Sequence, residues 1–167
     1  AEFFLLNEAD QEDFKSLLSA TGSLPLIAPM VSFDGKLLLD GGLADSIPFE
    51  YALSHGNERA VVILTQPHSY LKEPLKYAAL FKWFYRKHPK VYELLLNRAD
   101  RYNAAIHRLE QLEKEGQVYL FRPEEKLLVS RLENNPQKTA QVYANAMALA
   151  RNQLPHLQKW LNQESFS

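Results

Sequence analysis

The sequence contains no cysteine. That absence excludes a disulfide framework, a thiolate nucleophile and a cysteine-ligated zinc site, and it fits a reducing compartment. No apolar run approaches the ~18 residues that a membrane-spanning helix requires, and no basic stretch followed by an apolar one opens the chain as a secretion signal would. A charge excess is missing too. Nineteen Lys plus Arg stand against 20 Asp plus Glu, a formal net charge of -1, so no global field draws the chain onto a nucleic-acid backbone or an anionic bilayer. Internal repeats, low-complexity tracts and Gly/Ser-rich linkers are also lacking. What is present is a 167-residue chain, 46% hydrophobic and 23% charged, long enough for a core of its own and too apolar for disorder. The expectation is a soluble, cytoplasmic protein with no nucleic-acid partner. Its methionines are Met30 and Met147, and Ala1-Glu2-Phe3-Phe4 opens in mid-pattern, as a piece of a longer chain would.

The hydrophobic pattern alternates between strand and helix. Phe3 to Leu6 reads as a terminal or edge strand. Asp10 to Leu18 reads as a helix with Phe14, Leu17 and Leu18 on one face behind acidic first-turn residues. Val31 to Phe33 and Lys36 to Leu39 flank Asp34-Gly35, which supplies the positive φ angles of a two-residue hairpin turn. This second strand runs into Asp40 and the pair Gly41-Gly42. Asp45 to Pro48 then caps a short helix, Phe49 to Ser54, that Gly56 closes. Ala60 to Thr65 is an uninterrupted Val/Ile/Leu run, which predicts a strand buried on both faces. The middle third is helical. Leu75 to Lys87 groups Tyr77, Leu80, Phe81, Phe84 and Tyr85 as a core-facing stripe, and Leu95, Ala99, Tyr102, Ile106, Leu109 and Leu112 recur at steps of 3 and 4 before Gly116. Val118 to Phe121 reads as a strand, Pro136 opens a helix through Met147, and a terminal helix over Leu154 to Leu161 is interrupted or begun at Pro155. This order predicts an α/β fold.

Candidate chemistry is sparse. Asp40 stands where an apolar strand meets two glycines, the kind of strand end at which α/β sheets gather ligands and catalytic groups. Asp-Gly-Gly is also a common turn sequence, and on spacing alone the turn reading is the commoner of the two. His55, His68, His88, His107 and His156 sit at helix ends, in loops or on a polar face, without the i, i+4 spacing of metal ligands, so no zinc site is expected. The nearest approach to the Gly-x-Ser-x-Gly nucleophile pattern is Ala52-Leu53-Ser54-His55-Gly56. It has alanine in first place and follows a helix rather than a strand, so Ser54 reads as a residue of a last helical turn.

The run Asp40-Gly41-Gly42-Leu43-Ala44-Asp45-Ser46-Ile47-Pro48 resembles the aspartate motif of the patatin-like phospholipase family, bacterial branch. Leu18 to Pro25, the hairpin over Val31 to Leu39, and the strand over Arg59 to Pro67 are similar to the segments around that motif. Phe84 to Pro89, Leu96-Asn97-Arg98 and Val129 to Glu133 extend the likeness. The resemblance implies a part of a three-layer patatin-like domain: residues 1–70 its sheet-forming part with the hairpin and aspartate motif, and residues 71–167 mainly helical with one further strand. It also implies a lipid acyl hydrolase with a Ser-Asp dyad, a lipid or ester substrate and no cofactor. Asp40 matches the dyad aspartate, which takes the serine proton and returns it to the leaving group. Gly41 and Gly42 match the motif glycines, and Asp45 and Pro48 its structural turn. The family's oxyanion glycines and nucleophile elbow lie upstream of this motif. The chain is therefore expected to be the C-terminal portion of the domain, inactive alone, inclined to self-associate, and completed by a missing N-terminal half.

A different function also fits part of the sequence. Between Leu71 and Leu96, Tyr77, Phe81, Trp83, Phe84 and Tyr85 interleave with Lys72, Lys76, Lys82, Arg86, Lys87 and Lys90. Such a mixture suits a non-catalytic lipid-interface or protein-interaction module, in peripheral contact with the inner membrane surface through Trp83, Lys82 and Lys87. A core of aromatics with solvated lysines is the competing reading.

Overall fold

The computed structural model describes residues 1–4, 10–129 and 133–163. It is a mixed α/β structure of many helices and small sheets, and it divides into two compact units. Ala1–Pro48 with Lys72–Ala105 form the first, Phe49–Leu71 with Ile106–Ser167 the second.

In the first unit, helix α1 spans Gln11–Thr21. Its start follows from Asp10, whose carboxylate accepts the Glu12 and Asp13 backbone N–H groups at 2.9 Å and so satisfies two orphan donors. Leu17 and Ala20 are buried, while Phe14 and Leu18 stay exposed. Strands β1 (Val31–Phe33) and β2 (Lys36–Leu38) form the expected hairpin, with Val31 opposite Leu38 and Phe33 opposite Lys36. Asp34 at φ 46° and Gly35 at φ 69° place both turn residues in the left-handed region, as a type I′ turn demands. Phe3 and Phe4 are not in a strand; the Phe4 ring instead meets Phe33 edge-on at 5.5 Å. Leu5 and Leu6, the rest of that predicted strand, lie outside the described residues.

The helix predicted over Leu75 to Lys87 is shorter, α3 at Ala78–Phe84. Tyr77 just before it adopts φ 58°, which no regular helix continues through. The predicted core stripe is also corrected. Of its five residues Tyr85 is buried and Phe81 half-buried, but Tyr77, Leu80 and Phe84 are exposed. Periodicity identified residues sharing a face; among the described residues nothing packs over most of that face. The core of this unit gathers Leu43, Tyr85 and Leu95, with Leu39, Phe81 and Tyr92 packed against them. The Tyr85 hydroxyl accepts the Leu26 backbone N–H at 3.1 Å. Pro89 opens α4 (Pro89–Leu96), and after a break at Asn97, α5 (Arg98–Lys114) begins.

In the second unit α2 is the short helix Phe49–Ser54, followed by Gly56 at φ 87°. Strand β3 (Ala60–Ile63) pairs in parallel with β4 (Val118–Phe121), Ala60 opposite Val118 and Ile63 opposite Phe121. Leu109, Val118 and Leu112 are its most deeply placed apolar side chains, and Leu109 and Leu112 match the spacing before Gly116. Burial of β3 on both faces is overturned: Val61 and Ile63 are exposed, because residues at alternate positions of a strand point to opposite faces and none of the described residues covers one of these faces. Helix α6 runs unbroken over Pro136–Leu161 with Pro155 inside it. A proline there removes a helical hydrogen bond at a cost of ~3 kcal/mol. Side chains grip the helix on both sides of it: the Tyr119 hydroxyl donates to Gln153 O at 3.3 Å, and Arg59 donates to Trp160 O at 2.8 Å and Leu161 O at 3.1 Å.

Candidate functional site

The hairpin delivers its chain directly to Asp40, whose backbone N–H donates to Ser23 O at 3.0 Å. Asp40 Oδ1 then accepts the Gly42 N–H at 2.8 Å, making the aspartate the cap of a 3-10 turn over Gly41–Leu43. Asp40 is half-buried, and among the described residues no hydroxyl hydrogen-bonds to its carboxylate. One carboxylate oxygen thus serves the turn.

Gly42 is needed here for space rather than for its backbone angle. A Cβ built on it would lie 3.1 Å from Asp40 Oδ1 and 3.9 Å from Arg98 Nη2, so any side chain presses on the capping carboxylate. The Gly42 carbonyl accepts from Ser46 Oγ at 2.7 Å and from Arg98 Nε at 3.2 Å. Arg101 Nη2 donates to Leu43 O at 2.6 Å and to Leu94 O at 2.8 Å, tying the turn to the end of α4. Asp45 Oδ1 accepts the Ile47 N–H at 3.2 Å and shapes the exit, and Pro48 immediately precedes α2. Ser23, the residue that holds Asp40 by its carbonyl, is itself buried and donates its hydroxyl to Pro29 O at 3.0 Å.

Asp40, Gly41, Gly42 and Asp45 therefore form one continuous turn in the first unit. Ser23, inside the Leu18 to Pro25 segment, and Arg101 complete it, and Arg101 does so without a motif of its own, because its partners are main-chain atoms, which every residue carries. The spacing of Arg98 and Arg101, three apart at the start of α5, is the one trace they leave.

The remaining candidates have other partners. Ser54 Oγ donates to Tyr51 O at 3.0 Å and lies 3.0 Å from His55 Nδ1, which is also 2.8 Å from Tyr51 O, while the His55 ring stacks on Tyr51 at 3.9 Å. Both side chains serve the end of α2. Glu110 is shared by Arg122 at 3.3 Å and His68 at 3.2 Å, with His107 at 3.8 Å. His88 is the residue before α4, and His156 is exposed on α6. Among the described residues no group of three or more His, Cys, Asp or Glu is arranged to hold a metal ion, and no helix is long and apolar enough to cross a membrane.

No curated protein and no solved structure matches the chain. Two family models do. Residues 88–162 match a domain of unknown function (DUF6363), which begins one residue before α4 and ends just after α6. Residues 2–53, the segment that holds the hairpin, Asp40, Gly41, Gly42, Asp45 and Pro48, match the model of the patatin-like phospholipase family.

Proposed function

We propose that the chain supplies the catalytic aspartate of a serine acyl hydrolase acting on lipid or ester substrates. The observation that carries this reading is the Asp40 turn itself, a half-buried carboxylate at the exit of a hairpin, pinned at one oxygen by the Gly42 N–H, inside a segment matching the patatin-like phospholipases. In this reading Asp40 accepts the proton of a serine hydroxyl as that oxygen attacks the ester carbonyl, then returns it to the leaving alcohol. Water repeats the cycle on the acyl-enzyme. Gly42 leaves beside the carboxylate the room that a side chain would crowd, Gly41 has open space around it, and Asp45 and Pro48 fix the exit of the turn. The nucleophile and the oxyanion donors come from a further segment of the same domain, since the nearest approach to Gly-x-Ser-x-Gly in this sequence, around Ser54, belongs to the end of α2.

The test is hydrolysis of a short-chain nitrophenyl ester by these 167 residues and by a chain extended upstream to include a Gly-x-Ser-x-Gly segment. The shorter chain is expected to be inactive. In the longer one Asp40→Asn lowers kcat by roughly 10²–10⁴, the usual contribution of a positioned acid/base group. Asparagine keeps an oxygen for the Gly42 N–H, so the turn persists and the loss reports proton transfer. Undiminished activity of Asp40→Asn, or ester hydrolysis by the shorter chain that depends on Asp40, overturns the reading.

A further inference from the structure

Residues 71–90 carry six cations, Lys72, Lys76, Lys82, Arg86, Lys87 and Lys90, and a single carboxylate, Glu73, in a chain whose formal net charge is -1. Glu73 is taken up by Lys76 at 2.7 Å. Lys82, Arg86, Lys87 and Lys90 are exposed. Helix α3, in the middle of this segment, has no fully buried side chain, its inward contact being the half-buried Phe81. Instead Tyr77 is 80% exposed, Trp83 61%, Phe84 53% and Leu80 52%. Leu80 and Phe84 are four apart and share a helix face, and Trp83 meets Phe84 edge-on at 5.4 Å. The Arg86 guanidinium lies 5.2 Å over the Trp83 ring, so a cation and an indole are presented to solvent together.

We propose that this face docks onto an anionic lipid bilayer. Large aromatic rings left in water beside several cations match the two demands of a membrane surface: amphipathic rings at headgroup depth, and positive charge against acidic lipid. A protein partner of acidic surface would satisfy the cations, but it would leave unexplained why Trp83, Tyr77 and Phe84 are all exposed around one short helix. At ~1.5 Å per residue, the seven residues of α3 extend only ~10 Å, so the helix lies on the bilayer rather than across it. The proposal rests on the first unit alone and does not depend on Asp40 acting as a base.

Sedimentation of the 167-residue chain with sucrose-loaded vesicles tests it, using phosphatidylcholine alone and phosphatidylcholine mixed with phosphatidylserine. Binding is expected to the mixed vesicles and to be lost at high salt. Lys82→Glu/Lys87→Glu weakens it at least about thirty-fold, the effect of two surface cations. Trp83→Ser/Phe84→Ser weakens it without changing net charge. Lys114→Glu/Lys126→Glu, the same charge change at exposed positions of the second unit, leaves it at the wild-type level. All six positions are exposed, so each variant keeps the wild-type circular dichroism. Failure to bind mixed vesicles, equal binding to both compositions, or equal losses in the two Lys→Glu pairs overturns the proposal.

Discussion

Replacing Arg101 by alanine removes the cation that ties the Asp40 turn to the helices behind it. Its Nη2 donates to Leu43 O at 2.6 Å and to Leu94 O at 2.8 Å. Leu43 is buried and Leu94 half-buried, so both carbonyls stand where water reaches them poorly. Hydrogen bonds to a charged group contribute ~1.5–3 kcal/mol each, and partial rehydration of the Leu94 carbonyl offsets some of the second. The expected loss is about 2–4 kcal/mol, a large share of the ~5–15 kcal/mol that separates folded from unfolded domains. For a chain of this length each 1 kcal/mol lowers Tm by about 2–4 °C, which puts the shift on the order of 10 °C. Arg101→Lys recovers only part of it, because a compact ammonium lacks the planar fork that lets Arg101 span two carbonyls. Arg108→Ala, at an exposed position of the same helix, sets the baseline at under ~0.5 kcal/mol. Thermal melting followed by circular dichroism reads all three. If Arg101→Ala melts within a degree or two of Arg108→Ala, the turn is not held from α5, and the account of how Asp40 is positioned fails.

Two further perturbations probe the second unit. Leu109 is fully buried, so Leu109→Ala leaves a cavity and costs ~2–5 kcal/mol, while Ile63→Ala on the uncovered face of β3 changes stability by under ~0.5 kcal/mol; urea midpoints that coincide for the two variants contradict the core assignment. At the start of α6, the Asn135 backbone N–H, 3.1 Å from Glu133 Oε1, holds the Glu133 carboxyl below its usual range, and Lys138 at 3.5 Å adds to this. A folded pKa below the unfolded one stabilises the protein fully above the ordinary value of 4.5, and that contribution is lost as the pH falls through the folded pKa. The difference in Tm between wild type and Glu133→Gln is therefore present at neutral pH and closes on acidification; a difference that stays constant into acid contradicts the assignment.

How much of this was legible in the sequence depended on the range of the interaction. The hairpin, the helix starting near Asp10 and the Gly56 closure were readable because each is decided within a few residues by turn chemistry and local helix signals. The Leu109 and Leu112 positions followed from helical periodicity. The failures share a different cause. For Ala60 to Thr65 and for the aromatics of α3, apolar pattern shows which residues lie on one face, but whether that face is covered depends on chain elsewhere. Pro155 reads as a breaker locally, and the helix persists through it where Tyr119 and Arg59 hold its two flanks. Within the candidate site, Asp40, Gly41 and Gly42 were visible as a strand end with a glycine pair. Arg101 was not, since its partners are carbonyls 58 and 7 residues away that no side-chain pattern marks.

Charge illustrates the same point at another scale. The balance of 19 cations and 20 anions excludes a global attraction to polyanions, yet it conceals the segregation of six cations into residues 71–90. At physiological ionic strength the Debye length is ~8 Å, shorter than α3 itself, so a surface meeting this helix responds to the cations beside it and hardly to acidic groups farther away. Net charge therefore governs solubility and long-range encounter, and the local set governs contact. A protein neutral overall but cationic around an exposed tryptophan is suited to a partner that offers many weak negative charges on a plane together with an apolar layer beneath them. Vesicle binding that follows the charge of residues 82 and 87, and ignores an equal change at residues 114 and 126, is the signature of that local control.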